Sequence, residues 1–288
     1  MTRQARALSL LGAVLASAGL WWRPITADLH LALTSEAYTY ILLVIPLSLT
    51  LIYLGRRESH LNGGPGRHIG SILLVAALLL RLLTGWNVFR WSASGNLTLS
   101  VAALVVFWIG AVIVCFDITT LKTHLFALSF LFLIVPLPDQ ALTWVTRFLQ
   151  QESAWAASIL FRAAGVPVAR EGVLLFIPGL DIEVARECSS IRSSTILIVI
   201  TLILAHLFLQ TSSRKTLLIL AAIPLSVAKN AVRIFTIAEL GTRVDRGFLD
   251  GRLHHKGGVI FLGVGVIATV LLLWVLRYTE FRKTKTLP

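Results

Sequence analysis

"EVARECSSIRSSTILIVITLIL", residues 183–204, places Glu187, Cys188 and Arg192 where a long apolar run begins. From Ile196 onward the run is almost entirely Ile, Leu and Val, which predicts a membrane-crossing helix. Ionisable groups are expensive in hydrocarbon, so such a cluster belongs either at the membrane surface or to a working site there.

The rest of the chain makes the membrane reading general. Its 288 residues are 56% hydrophobic and only 14% charged, with a mean hydropathy of +0.82, whereas a soluble domain carries about a quarter charged residues. No polar stretch is long enough to build a separate soluble core. The expected class is an all-α integral membrane protein, a polytopic bundle of about eight helices at roughly 7–22, 38–54, 70–84, 99–116, 121–138, 189–209, 217–237 and 258–276. The first 18 residues have a basic start and an Ala16-Ser17-Ala18 step that a signal peptidase would accept, but a retained first helix is preferred.

The net charge of +12 follows topology rather than nucleic acid binding. Basic residues gather in GRRESHLNGGPGRH (55–68), near Lys122, in SSRK (212–215) and in the tail RYTEFRKTKTLP (277–288), and no aromatic-interleaved basic surface accompanies them. That pattern puts both termini in the cytoplasm and puts 139–187 and 239–256 outside. The domain reading is one membrane domain: N-terminal helices (1–138), an outer segment (139–187), late helices (188–276) and the basic tail. Within the outer segment, ALTWVTRFLQQESAWAASILFRAAG (141–165) has helical amphipathic spacing and is expected at the lipid interface. VPVAREGVLLFIPGLDIEV (166–184), with its Pro-Gly step and alternating residues, predicts a short β-hairpin.

Three polar clusters fall on that outer side. Cys188 opens its helix, where free backbone N–H groups and the dipole favour a thiolate, and Arg192 lies four residues on along the same face. Glu187 opposes the thiolate unless it pairs with an arginine. In LAAIPLSVAKNAVRIFTIAEL (220–240), Ser226, Lys229, Asn230 and Arg233 form a stripe at spacings of three and four. Arg233 lies about 24 Å from the cytoplasmic start of its span. His254 and His255 precede Gly257, Gly258 and the last span, and the two glycines are expected to let that helix start approach its neighbours closely. A small buried cysteine with a surface ion pair, a snorkelling arginine and a solvated histidine pair are the bland readings of the three clusters.

Neither Cys115 and Cys188 nor the histidine pair has zinc-site spacing, and no cofactor or metal is expected. Cys115, at the cytoplasmic end of its span, reads as packing. A thiol nucleophile, an imidazole acid–base and a fixed guanidinium on one membrane face form a coherent set for acyl transfer. A polytopic transporter or a lipid-linked transferase, each using a polar intramembrane pathway, is the alternative.

ECSSIRSS (187–194), NAVRI (230–234) and LHHKGGVIF (253–261), in that order on late spans, resemble the exosortase/archaeosortase family of integral-membrane transpeptidases. The stretch leading into the cysteine is also similar, although Ser190 stands where the family often has glycine. The resemblance implies Cys188 as nucleophile, Arg233 as essential arginine and His254 as the histidine, with Glu187, Arg192, Asn230 and His255 in support. It further implies a prokaryotic inner-membrane enzyme that cleaves exported proteins at C-terminal sorting tails, often alongside exopolysaccharide production. The new carboxyl end would pass to a lipid or glycan acceptor.

Overall fold

This computed structural model describes residues 3–55, 67–86, 88, 90–116, 124–184, 191–250 and 258–285. It is helical apart from one small sheet, and the described residues contain six helices long and apolar enough to cross a membrane, at Glu36–Leu54, Arg67–Gly85, Ala93–Phe116, Ile191–Phe208, Ser212–Arg243 and Gly258–Glu280. Two bent pairs raise the number to eight if each is one broken span. The polytopic helical class is therefore as the sequence implies. The expected spans at 7–22 and 121–138 each correspond to the first arm of a bent pair, Gln4–Leu20 and Leu125–Ile134.

The chain forms two compact units, Met1–Leu142 and Thr143–Pro288. In the first, α1 (Arg3–Leu20) and α2 (Trp22–Thr34) meet at an 80° bend. Trp21 sits in that bend, fully buried, with its indole N–H donating to the Ser100 carbonyl at 2.9 Å and its ring 5.3 Å from Phe107. Arg81 donates to the Leu20 carbonyl at 3.1 Å, satisfying a group that the end of α1 leaves open. α3 (Ile41–Leu54) follows, and α4 (Arg67–Gly85) packs on α5 (Ala93–Phe116). Two glycines set the distance between α4 and α5: a Cβ at Gly70 would lie 2.7 Å from Val114 and 3.0 Å from the Gly110 carbonyl, and one at Gly110 would lie 3.1 Å from the Gly70 carbonyl. Small residues that let backbones touch are the usual packing device where lipid gives no hydrophobic drive. The short α6 (Leu125–Phe130) continues as a 3₁₀ turn to Ile134, and the chain then breaks at Pro136 and Pro138, neither of which can donate to a helical ladder.

The second unit holds most of α7 (Asp139–Ala163), a sheet and the late helices. Trp144, Phe148, Trp155 and Ile159 of α7 are exposed while Ala154, Ala157 and Phe161 are buried, the two-faced pattern its sequence implies. The sheet is an antiparallel meander of β1 (Ala169–Glu171), β2 (Leu174–Ile177) and β3 (Leu180–Glu183), one strand more than the expected hairpin. Gly179 takes the φ of 81° that the third position of a Pro-Gly turn requires. Leu175 and Ile177 point into a core shared with Phe161 of α7 and with Ala231, Ile234 and Ala238 of α9 (Ser212–Arg243). α8 (Ile191–Phe208), α9 and α11 (Gly258–Lys285) pack on one another, and a single short turn of helix, α10 (Gly247–Asp250), follows α9.

The Gly70–Gly110 contact yields a stability prediction. Gly70→Val or Gly110→Val, each forcing a side chain against backbone, costs about 1–3 kcal/mol. Gly12→Ala, which meets nothing within 4 Å, leaves the unfolding midpoint in detergent essentially unchanged. Equal midpoints for all three variants would contradict the packing described.

Candidate active site

α9 is inverted relative to a soluble helix. It exposes Leu217, Leu220 and Ile223 and buries Ser226, Lys229, Asn230 and Arg233, of which Lys229 keeps 3% of its surface and Arg233 6%. Such inversion is stable only where the outer face meets lipid and the inner face meets polar partners. The spacing of three and four residues puts all four groups on one stripe, and the packing puts that stripe inside the unit. Its other buried polar residues among those described are Ser, Thr and no Asp or Glu, so the buried stripe is cationic.

Lys229 finds its partner across the helix pair. Its ammonium donates to Ser193 Oγ at 2.5 Å, in the first turn of α8. Its stem passes Gly265 of α11: a Cβ built there would lie 3.1 Å from Lys229 Cδ and 3.2 Å from Leu197 Cδ2. Thr269, one turn further on, folds its hydroxyl back onto the Gly265 carbonyl at 2.9 Å.

Other groups around the stripe are left open. Among the described residues, neither amide atom of Asn230 has a hydrogen-bond partner, nor do the hydroxyls of Ser226, Ser194 and Ser153. Asn230 and Ser226 are each 1% exposed. A buried polar atom without a partner costs roughly 1–3 kcal/mol, so a set of them marks a place where something polar is meant to bind.

The approach to the expected nucleophile is fixed on both sides. Val184 is fully buried, its N–H donates to the Val173 carbonyl at 3.0 Å, and its own carbonyl accepts from Gln150 Nε2 of α7 at 2.8 Å. On the far side, α8 is described from Ile191. Glu187 and Cys188, with residues 185–190, and His254 and His255, with residues 251–257, lie outside the described residues. Arg233 and Asn230 are buried in the stripe, whereas Arg192 is exposed and turned away from the buried face that carries Ser193 and Ser194. Of the two glycines expected to bring the start of the last helix close to its neighbours, Gly257 lies outside the described residues and a Cβ at Gly258 meets nothing within 4 Å among them; a close approach on α11 is seen two turns later, at Gly265.

A family model described as transmembrane exosortase matches residues 21–274. The chain belongs to the transmembrane exosortase family. No curated protein and no solved structure matches it. As an exosortase it is a multi-pass membrane protein of a family of sorting enzymes, and the match covers the first unit as well as the second. Reading the sequence alone missed Gln150, Ser193 and Gly265. Each works across a helix boundary, and spacing along one helix carries no signal for that.

Proposed function

We propose that this exosortase is a cysteine transpeptidase that cleaves C-terminal sorting tails of exported proteins at the extracytoplasmic face and passes the new carboxyl end to an acceptor. The observation that supports the reading best is the buried cationic stripe of Lys229 and Arg233, with the open carboxamide of Asn230 between them, packed against the helix that starts three residues after Cys188. A transporter would also bury polar groups, but a cationic stripe packed on the helix that follows a cysteine motif in the sequence answers the needs of acyl transfer more directly.

In the proposed mechanism the Cys188 thiolate attacks the scissile carbonyl carbon, and the carbonyl electron pair moves onto oxygen. Arg233, with planar paired donors, stabilises that oxyanion. Collapse breaks the C–N bond as His254 gives its proton to the leaving amine, leaving a thioester on Cys188. A hydroxyl or amine of a lipid or glycan acceptor, or water, then attacks the thioester and gives its proton to His254, releasing the thiolate. Asn230 supports the site from the neighbouring position on the stripe. Glu187 and Arg192 orient the cysteine turn, and His255 is a bystander to the acid–base role. The enzyme acts in the inner membrane of a prokaryote, with both termini cytoplasmic and with exopolysaccharide production as its setting.

The decisive experiment is co-expression with an exported protein bearing a C-terminal tail of motif, membrane helix and basic end, scored for shortening. Cys188→Ala abolishes shortening while the protein still accumulates, and Cys115→Ala leaves it nearly intact. His254→Ala loses processing and His255→Ala retains most of it, because only His254 stands four residues before Gly258 and seven before Phe261 in the family's spacing. An active Cys188→Ala variant would remove covalent thiol catalysis.

Arg233→Lys tests the oxyanion role separately. A lysine keeps the charge and loses the paired geometry, so the variant folds but processes the tailed protein on the order of 100-fold more slowly. Full activity in Arg233→Lys reduces the residue to a structural cation.

Orientation is open to direct labelling. In cysteine-free protein, single reporter cysteines at Gly179 and Asp250 react with an impermeant maleimide from outside, and those at Ser213 and Thr284 do not. Opposite sidedness of Gly179 and Asp250 would separate the clusters and end the shared-site reading.

A further inference from the structure

The proposed chemistry needs three chain segments in register: the segment carrying Cys188 ahead of α8, Arg233 on α9, and the segment carrying His254 ahead of α11. Lys229 touches all three helices. It belongs to α9, one turn before Arg233; its ammonium donates to Ser193 at the start of α8 at 2.5 Å; and its stem reaches Gly265 of α11, where Leu197 of α8 also arrives. The lysine is 3% exposed and Ser193 6%, so the contact is shielded from competing water. Glycine at 265 is what admits the stem, since any larger residue would meet Lys229 Cδ and Leu197 Cδ2 at about the same distance.

We propose that Lys229 is a positioning residue for this exosortase: a buried strut that keys α8 and α11 to α9, and so sets the thiol and imidazole segments against Arg233. The inference rests on the transpeptidase reading for its catalytic consequence and on contacts alone for its geometry. A lysine suits the task better than a methionine of similar length. The stem fills the gap at Gly265 in either case, but only an ammonium also fixes the rotation and height of the first turn of α8 through Ser193. It also adds a second positive charge to the stripe, which in the proposed mechanism favours the thiolate.

Two measurements on the full chain in detergent or nanodiscs test this. The first is a melting cycle that needs no activity. Gly265→Ala lowers the melting temperature more in the wild-type background than in Lys229→Ala, where the Cδ is gone and only Leu197 remains in the way. An equal drop in both backgrounds overturns the threaded stem.

The second measurement uses Lys229→Met, Ser193→Ala and the double variant, each on a Cys115→Ala background so that Cys188 is the only thiol. With a tailed reporter protein, kcat falls by about 10- to 100-fold while KM stays within about twofold, and the double variant is no worse than the more impaired single variant. Iodoacetamide alkylation of Cys188 near neutral pH slows several-fold in the same variants, with its pH profile moved to higher pH. Ser193→Ala, the mildest change, keeps the test open should Lys229→Met fail to accumulate. Unchanged kcat and alkylation, or a loss confined to KM, overturns the positioning role. If the wild-type protein leaves the tailed reporter whole while melting and alkylation respond as stated, the transpeptidase reading fails and the strut stands.

Discussion

A lysine and an arginine inside a bundle with an aliphatic outer face impose the constraint from which the C-terminal unit follows. Lipid offers such groups no hydrogen bonds, and removing either charge from water costs several kcal/mol before any contact is made. Helix α9 meets the constraint by turning its polar stripe inward, and the partner of Lys229 among the described residues is a hydroxyl, that of Ser193. The choice of partner matters. A carboxylate would neutralise the cation, whereas a hydroxyl orients the ammonium and leaves its field in place. In a medium of low effective dielectric that field acts more strongly than in water, which is what a site for a developing oxyanion or thiolate requires.

The opposite end of the same three helices is closed by different chemistry. The Glu280 carboxylate of α11 accepts from the backbone N–H of Thr211 at 2.7 Å and of Gln210 at 3.2 Å, and from the Thr211 hydroxyl. Thr211 is the N-cap of α9, so an acidic group sits where the helix dipole favours it. Arg214 in turn donates to the Leu276 carbonyl at 2.8 Å. Between this clasp and Lys229 lie Ala205, Leu209, Leu218, Leu273 and Leu276, an apolar core without specific geometry of its own. Aliphatic packing tolerates sliding by a fraction of a turn. Polar contacts at the two ends do not, and they supply the register that the core leaves loose.

How much of this was legible in the sequence depends on whether the signal runs along one element or between two. The buried stripe of Ser226, Lys229, Asn230 and Arg233 was legible because three- and four-residue spacing defines a helix face. The two-sided character of α7 was legible for the same reason. The bend at Trp21 was not, because hydropathy has magnitude without direction and a tryptophan at a break resembles an interfacial anchor. Strand β1 escaped notice because Ala169, Arg170 and Glu171 are all exposed and carry no alternation. Gly265 was one glycine among several in GVIFLGVGV, and only the lysine stem beside it gives it meaning. Gly258 drew more attention in the sequence and meets nothing.

Chain connectivity carries the argument one step further. Three residues of chain reach at most about 11 Å, so Cys188 is tethered within that distance of Ile191 at the start of α8. Four residues reach about 14 Å, which tethers His254 to Gly258 at the start of α11. On the other side of the cysteine, Val184 is held by Val173 and Gln150 in the core that α7, the meander and α9 share. The meander therefore anchors Val184, and α8 begins at Ile191, with six residues of chain between them. Under the proposed mechanism, placement of thiol and imidazole reduces to the placement of two helix starts relative to Arg233. The side chain one turn below that arginine contacts both helices, so in that mechanism the register of the three segments depends on one buried lysine.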